Sequence, residues 1–267
     1  MSLPVAVERL CQLTRDAGLA ALPWWQQNPE VLTKADDSPV TAADLAANQV
    51  IMDGLRALTP EIPVLSEEAA DVPLSERLHW DRFWLVDPLD GTKEFIAGTE
   101  EFTVNIALIE QGEVRFGFVG VPARDTLYWG GAGRGSWRQL GDESAQPIHC
   151  RPPAAPLRVV ASRRHTSPEQ EALLDRLQQA HGTELIGVGS SLKFCTLAAG
   201  EADLYPRFAP TSQWDTAAAQ AVLEGAGGRV LGLDGQRFTY PHREDWLNPY
   251  FIATGQPDET LLHLLLG

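Results

Sequence analysis

The residues best suited to chemistry lie in one short run, Trp84-Leu85-Val86-Asp87-Pro88-Leu89-Asp90-Gly91-Thr92, where an apolar stretch of strand character meets two carboxylates three residues apart. Pro88 has no backbone N–H, so it is expected to break the strand pairing and turn the chain until Asp87 and Asp90 face one point. Gly91 lets the backbone approach a ligand closely, and the next amides, of Thr92 and Lys93, are suited to cradling a phosphate. Two carboxylates about 4 Å apart repel by roughly 4 kcal/mol at an effective dielectric of 20, so a cation has to offset them. Oxygen-only donors point to Mg2+ or Mn2+ rather than zinc, and Mg2+ is typically held by a few carboxylates together with water and substrate phosphate. The same six residues also read as a solvated acidic turn, where Asp, Pro and Gly recur for local reasons.

Leu89-Asp90-Gly91-Thr92 also matches the second half of the D-x-D-G-T signature of haloacid-dehalogenase-type enzymes. That chemistry needs an aspartate nucleophile two residues before Asp90, and this chain has Pro88 there. An aspartyl-phosphate intermediate is therefore excluded at this motif, which leaves a metal-activated water as nucleophile.

The bulk numbers narrow the partners. A chain of 267 residues, 44% hydrophobic and 21% charged, is globular rather than disordered and can bury a large core. Its formal net charge of -15 argues against nucleic acid, whose binders present clustered Lys and Arg. The same charge repels a small anion, so a phosphate ester would need bound cations and a few placed Lys and Arg to reverse the field locally. Cys11, Cys150 and Cys195 lie far apart, without zinc-ribbon or disulfide-framework spacing. Glu8 and Arg9 interrupt what a signal peptide would need, and no stretch approaches the roughly 20 apolar residues that span a bilayer. A cytoplasmic protein is expected, with peripheral attachment to the cytoplasmic face of the inner membrane left open.

The elements that must position the acidic run are largely readable. Val7, Leu10, Thr14, Ala17 and Ala21 fall at helical spacing, with Pro23 at the stop. Thr41-Ala42-Ala43-Asp44 reads as a capping box opening a helix through Leu45, Ile51, Leu55 and Leu58. Lys34 to Pro39 reads as a loop between the two helices. Ile62 to Ser66 and Phe83 to Asp87 read as buried strands ending in acids. Phe102 to Ile109, Glu113 to Val121 and Thr126 to Gly130 suggest an antiparallel meander. The Pro-rich stretch Arg151 to Pro156 marks a boundary between residues 1–150, read as α+β, and residues 151–267. Beyond it strands and helices alternate: Arg158 to Ala161, Pro168 to Ala180, Glu184 to Val188, Leu192 to Ala199, Tyr205, Trp214 to Gly225 and Phe251 to Thr254, an α/β pattern.

On its motifs the sequence resembles the inositol monophosphatase superfamily of lithium-sensitive, Mg2+-dependent phosphatases. These are an acidic pair after a strand, Ser66-Glu67-Glu68; D-P-[LI]-D-G-T, here Asp87 to Thr92; and W-D-x-A, here Trp214-Asp215-Thr216-Ala217. Longer strings, Trp84 to Ile96, Glu101 to Ile109, Gly189 to Cys195 and Leu204 to Phe208, narrow the resemblance to the bacterial 3'(2'),5'-bisphosphate nucleotidases, over about Lys34 to Asn248.

The resemblance implies an α+β fold, a layered αβαβα sandwich of the inositol monophosphatase and fructose-1,6-bisphosphatase type. Residues 1–150 would carry most metal ligands, and residues 151–267 the last one and the substrate contacts. It implies hydrolysis of the 3'-phosphate of adenosine 3',5'-bisphosphate (PAP) to AMP and phosphate, with the sulfated precursor PAPS as a further substrate, in sulfur metabolism. Glu67, Asp87 and the Leu89 carbonyl would hold one Mg2+, and Asp87, Asp90 and Asp215 a second, with Mn2+ as a substitute. Asp44 would pair with Thr92 to orient the attacking water and would serve a third, weaker ion. That role competes with its capping role. Catalysis would thus involve Asp44, Glu67 and Thr92, and substrate contact Gly91, Thr92, Ser190, Lys193 and Arg207, with Ser190 and Lys193 at a helix start that suits an anion.

Inositol-1-phosphate or fructose-1,6-bisphosphate hydrolysis, and a catalytically silent nucleotide-binding member, remain alternatives, as do monomer and homodimer. The departures are Ala219 where the family has glycine and Ala97-Gly98-Thr99 in place of a more basic loop. Gly130 to Gly135 lacks dinucleotide-loop spacing and reads as a hairpin turn. Ser162 with His165 lacks a nucleophile elbow and reads as surface or substrate rim.

Overall fold

The computed structural model describes residues 3–27, 31–33, 39–161 and 167–266. The stretches expected as a loop at 34–38 and as a surface rim around Ser162 and His165 lie outside them. Helix α1 (Val7–Ala21) buries Leu10, Leu13, Ala17 and Ala21, and Pro23 sits in the 3-10 turn Leu22–Trp24 that ends it. An antiparallel pair, β1 (Val31–Thr33) and β2 (Pro39–Thr41), leads into α2 (Ala42–Leu58), so Pro39 belongs to a strand and not to the expected loop. Thr41 caps α2 in a full capping box with Asp44. Ala43, Ala47, Ile51 and Leu55, four residues apart, form its buried stripe. Leu45, in the same helix, lies off the stripe and is 51% exposed.

Seven strands form the first sheet in chain order: β3 (Val64–Ser66), β4 (Arg82–Asp90), β5 (Thr103–Glu110), β6 (Glu113–Val121), β7 (Thr126–Gly131), β8 (Gly135–Leu140) and β9 (Gln146–Ile148). β3 runs parallel to β4, with α3 (Leu74–Arg77) between them, and all later pairs are antiparallel. The short helix α4 (Thr92–Ile96) follows β4. The meander appears as expected and continues into β8 and β9, with Gly131 to Gly135 forming the hairpin turn.

The second sheet contains β10 (Leu157–Ala161), β11 (Thr183–Gly187), β12 (Leu204–Arg207), β13 (Arg229–Gly232) and β14 (Phe251–Thr254), in the order β11-β10-β12-β14-β13. Helices α5 (Pro168–His181), α6 (Leu192–Ala198), α7 (Gln213–Gly225) and α8 (Glu259–Leu266) accompany it. β10 pairs in parallel with β11 and β12, whereas β14 pairs antiparallel with both β12 and β13. The alternation of strands and helices read for this half thus takes the form of a mixed sheet, in which β13, not anticipated, hands over to β14 without a crossover helix.

Three apolar clusters order the layers. Trp84, Val86, Ile106 and Phe118 of the first sheet pack with Leu10, Ala17, Ile51 and Leu55 of α1 and α2. The opposite face, with Phe83, Leu85, Ala107 and Val119, packs with Leu197, Ala217, Ala221 and Val222 of α6 and α7, which also meet Val160, Tyr205 and Phe251 of the second sheet. Val159, Leu204 and Ile252 of that sheet pack outward on Leu173, Leu177, Leu261 and Leu265 of α5 and α8. Helix, sheet, helix, sheet, helix is the layered sandwich expected. The α7 crossing is tight: a Cβ at Gly117 would lie 2.1 Å from the Ala218 carbonyl oxygen, so only glycine fits there. Ala219, in place of the family's glycine, is fully buried in the same helix.

Candidate active site

The acidic run lies where β4 stops being regular. Asp87 pairs across to Asn105 and Asp90 to Thr103, three steps on β4 against two on β5. Pairing lapses at Pro88 and Leu89 and resumes at Asp90, so the expected strand end is instead a bulge, the device that re-aims side chains beside active sites. Gly91 then takes φ +88°, and a Cβ there would lie 3.2 Å from both the Glu101 carbonyl oxygen and the Ser190 Cβ. The amides of Thr92 and Lys93 open α4, where no residue one turn back can accept from them.

Four carboxylates from three separate elements act on one another here. Asp87, 1% exposed, accepts the Leu89 N–H at 3.0 Å. Burial holds its carboxyl well above the usual carboxylate range, and Glu67, Asp90 and Asp215 push it the same way. Burial likewise raises Asp215, followed by the charge of Asp90. Asp90 is pushed up to about 6 by burial against the opposing pull of Lys193. Glu67 follows β3 in the 3-10 turn Glu67–Ala69 and shares a cleft with Asp90, Thr92 and Asp215.

The two helix-borne acids are held by the same device. Asp44 Oδ2 accepts the Thr41 N–H at 2.8 Å and the Thr41 hydroxyl at 2.7 Å, which leaves Oδ1 to face the Thr92 hydroxyl at 3.4 Å. The competition expected between its two roles is thus resolved by giving one oxygen to each. Asp215 Oδ2 accepts the Ser212 N–H at 2.9 Å in the capping box of α7. The Thr92 hydroxyl also lies 3.4 Å from the Leu89 carbonyl oxygen.

Among the described residues no three His, Cys, Asp or Glu side chains are gathered closely enough to hold a metal ion by themselves. The donor set still fits Mg2+, which prefers a few carboxylates and keeps room for water and substrate phosphate, and the mutual destabilisation of Asp87, Asp90 and Asp215 is what a divalent cation relieves.

Adjoining the acidic cleft is a cavity of about 220 Å³ lined by Asp90, Glu94, Ser190, Lys193, Arg207 and Asp215 among others. Ser190 does not start α6 but precedes it, with φ +47°, and the Ser191 N–H donates to Asp90. Leu192 N–H donates to the Ser190 hydroxyl at 3.3 Å. The anion site expected from free amides at this helix start is therefore partly spent on the protein itself, and positive charge comes from side chains instead. Lys193, pushed down to about 8 mainly by burial, donates to the Ser190 carbonyl at 3.0 Å. Arg207 donates to the Pro210 carbonyl at 3.0 Å, and its buried Nε has no protein partner among the described residues.

Sequence reasoning missed a buried network behind Asp90. The Ser191 hydroxyl lies 2.8 Å from both the Thr103 hydroxyl and Asn105 Oδ1, and Thr103 reaches Asp90 at 3.5 Å. Nothing local signals it. The Ser212 cap was legible, because Ser212-x-x-Asp215 repeats the spacing of Thr41-x-x-Asp44.

Gly189 gives the first test of this site. A Cβ there would lie 2.8 Å from Glu94 Cγ and 3.0 Å from the Glu101 carbonyl oxygen. Gly189→Ala should raise KM at least about tenfold and cost about 1–3 kcal/mol by overpacking, as read from steady-state kinetics and thermal melts; an unchanged KM would separate this loop from substrate.

Comparisons with known proteins agree with the geometry. The profile of the inositol monophosphatase family matches residues 7–265. The chain is 50% identical over 251 residues to the 3'(2'),5'-bisphosphate nucleotidase CysQ of Salmonella typhimurium, covering 93% of this chain and 99% of that one. It is 49% identical over 248 residues to the Escherichia coli CysQ, covering 92% and 98%. The crystal structure of CysQ from Bacteroides thetaiotaomicron superposes with a TM-score of 0.80 at 36% identity, over 94% of this chain and 98% of that one. By its sequence profile, its relatives and its fold, this chain belongs to the inositol monophosphatase family.

Proposed function

We propose that the chain is a Mg2+-dependent 3'(2'),5'-bisphosphate nucleotidase that hydrolyses the 3'-phosphate of PAP to AMP and phosphate and also accepts PAPS. The observation that carries this reading is that the acidic cleft and the cavity holding Lys193 and Arg207 share Asp90 and Asp215. A substrate with two phosphates can set one at the carboxylates, where ions bind, and the other at the cations.

Glu67, Asp87 and the Leu89 carbonyl would hold one Mg2+, and Asp87, Asp90 and Asp215 a second. Asp44 would serve a third, weaker ion, and Mn2+ would substitute. Held by these residues, Mg2+ would supply positive charge that lowers the pKa of a nearby water and offsets the charge of the phosphoryl group. Asp44 orients the Thr92 hydroxyl, which aims that water in line with the scissile bond. The amides of Gly91, Thr92 and Lys93 face the phosphoryl oxygens, where preorganised donors act most strongly. Ser190, Lys193 and Arg207 take the second phosphate. Lithium inhibition is expected on this reading, with Asp90 and Asp215 as the carboxylates where lithium would compete. No described helix is long and apolar enough to cross a membrane. A cytoplasmic location, with or without peripheral attachment, and a monomer or homodimer fit this reading.

Phosphate release from PAP and from inositol-1-phosphate, each with Mg2+, with EDTA and with Mg2+ plus lithium, tests the proposal. The expected result is a strong preference for PAP, abolished by EDTA and reduced by lithium. Preference for the inositol ester would keep the metal chemistry and sink the nucleotidase reading, and turnover of neither would favour a silent binder.

A further inference from the structure

Within a site that must attract a multiply charged anion, one carboxylate serves neither the ions nor the phosphates. Glu94, in α4, lines both the acidic cleft and the cavity that holds Lys193 and Arg207, so it stands at their junction. Its Cγ lies 2.8 Å from where a Cβ on Gly189 would sit, which sets it against the Gly189–Ser191 loop. Glu101, on the same wall, is engaged: it accepts the Gly189 N–H at 2.9 Å and lies 3.7 Å from Arg124. The Glu94 carboxylate has no hydrogen bond or ion pair among the described residues, and its charge is felt by both Asp90 and Lys193.

A carboxylate accepts hydrogen bonds and donates none, so in a bound complex it favours a donor and disfavours another anion. With one phosphate over the acidic cleft and the rest of the nucleoside in the cavity, the group that crosses the junction is the ribose. The donor nearest the scissile ester there is the neighbouring hydroxyl. We propose that Glu94 is a specificity-determining residue that accepts a hydrogen bond from the ribose hydroxyl vicinal to the phosphate being removed. This rests on the bisphosphate nucleotidase reading above. A 2'-phosphate presents its 3'-hydroxyl in the same relation, whereas a deoxyribonucleotide presents nothing.

The test compares kcat/KM for PAP and for 2'-deoxyadenosine 3',5'-bisphosphate, at saturating Mg2+, in the wild-type chain, Glu94→Gln and Glu94→Ala. A hydrogen bond to a charged acceptor corresponds to about a tenfold to hundredfold preference for the ribonucleotide in the wild type. Glu94→Ala should lose that factor on PAP and change the deoxy substrate by less than about threefold, with the isosteric Glu94→Gln between the two. Thermal melts verify that the variants fold. A ribo-to-deoxy ratio in Glu94→Ala equal to the wild-type ratio, or a wild type without the preference, overturns the proposal alone. Turnover of neither nucleotide by the wild type overturns the nucleotidase reading and this proposal with it.

Discussion

Asp87→Asn should abolish turnover and, in EDTA, melt at a higher temperature than the wild type. Asp87 is buried at the β4 bulge, where burial, Glu67, Asp90 and Asp215 all disfavour its charge. Asparagine keeps the shape and an acceptor for the Leu89 N–H, and removes the charge. A gain of about 1–3 kcal/mol is expected, or several degrees in a chain of this size. The kcat loss should be at least about a thousandfold, because Asp87 is the ligand common to both proposed ions. Adding Mg2+ should reverse the order of melting, since a ligand stabilises only the chain that binds it well.

The pH dependence has a definite sign. A carboxylate whose folded-state pKa is raised contributes stability that is complete below its unfolded value and is lost as pH rises through the folded one. Asp90, raised from 3.8 to about 6, loses its contribution across that interval, and Asp87 and Asp215 shift in the same direction. The gap between metal-free Asp87→Asn and wild type should therefore vanish near pH 4 and widen as pH rises. Melting temperatures in EDTA from pH 4 to 8 check this, and a gap that narrows with rising pH would rule out charge repulsion as its cause.

Thr92→Ala and Asp44→Asn should each lower kcat by about a hundredfold to a thousandfold, and the double variant should be little worse than either. The reason is that both act through one contact, from the Thr92 hydroxyl to Asp44 Oδ1. Their effects on stability should differ. Thr92→Ala removes only two long hydroxyl contacts, whereas Asp44→Asn also weakens the capping of α2 at Thr41, at about 1 kcal/mol. Kinetics of the three variants beside their thermal melts decide the matter. Losses that multiply in the double variant would mean that the two residues act independently.

Some of this site was present in local sequence. The β4 strand, the acids at its tip, the glycine after Asp90 and the capping box at Thr41 all follow from neighbours within four residues, because hydrophobic period, missing amides and cap chemistry act at that range. The meander from Phe102 onward and α1 were readable for the same reason. β13 was not anticipated because a four-residue strand carries little pattern of its own.

The chain's local sequence thus determined the candidate acids of the Asp87–Thr92 run and most of the elements that bear the site. Tertiary structure alone decided how they meet. Ser191 reaches Asp90 across 101 residues and Thr92 reaches Asp44 across 48, so neither contact has a local signature. That Asp44 divides its two oxygens between a cap and Thr92 depends on α2 lying beside α4, that Pro88 sits in a bulge rather than at a strand end depends on the pairing of β4 with β5, and that Glu94 stands between cleft and cavity depends on where α4 meets the Gly189–Ser191 loop. A carboxylate's type is written in the sequence; its charge state and the direction of its oxygens are set by the atoms that exclude water from it.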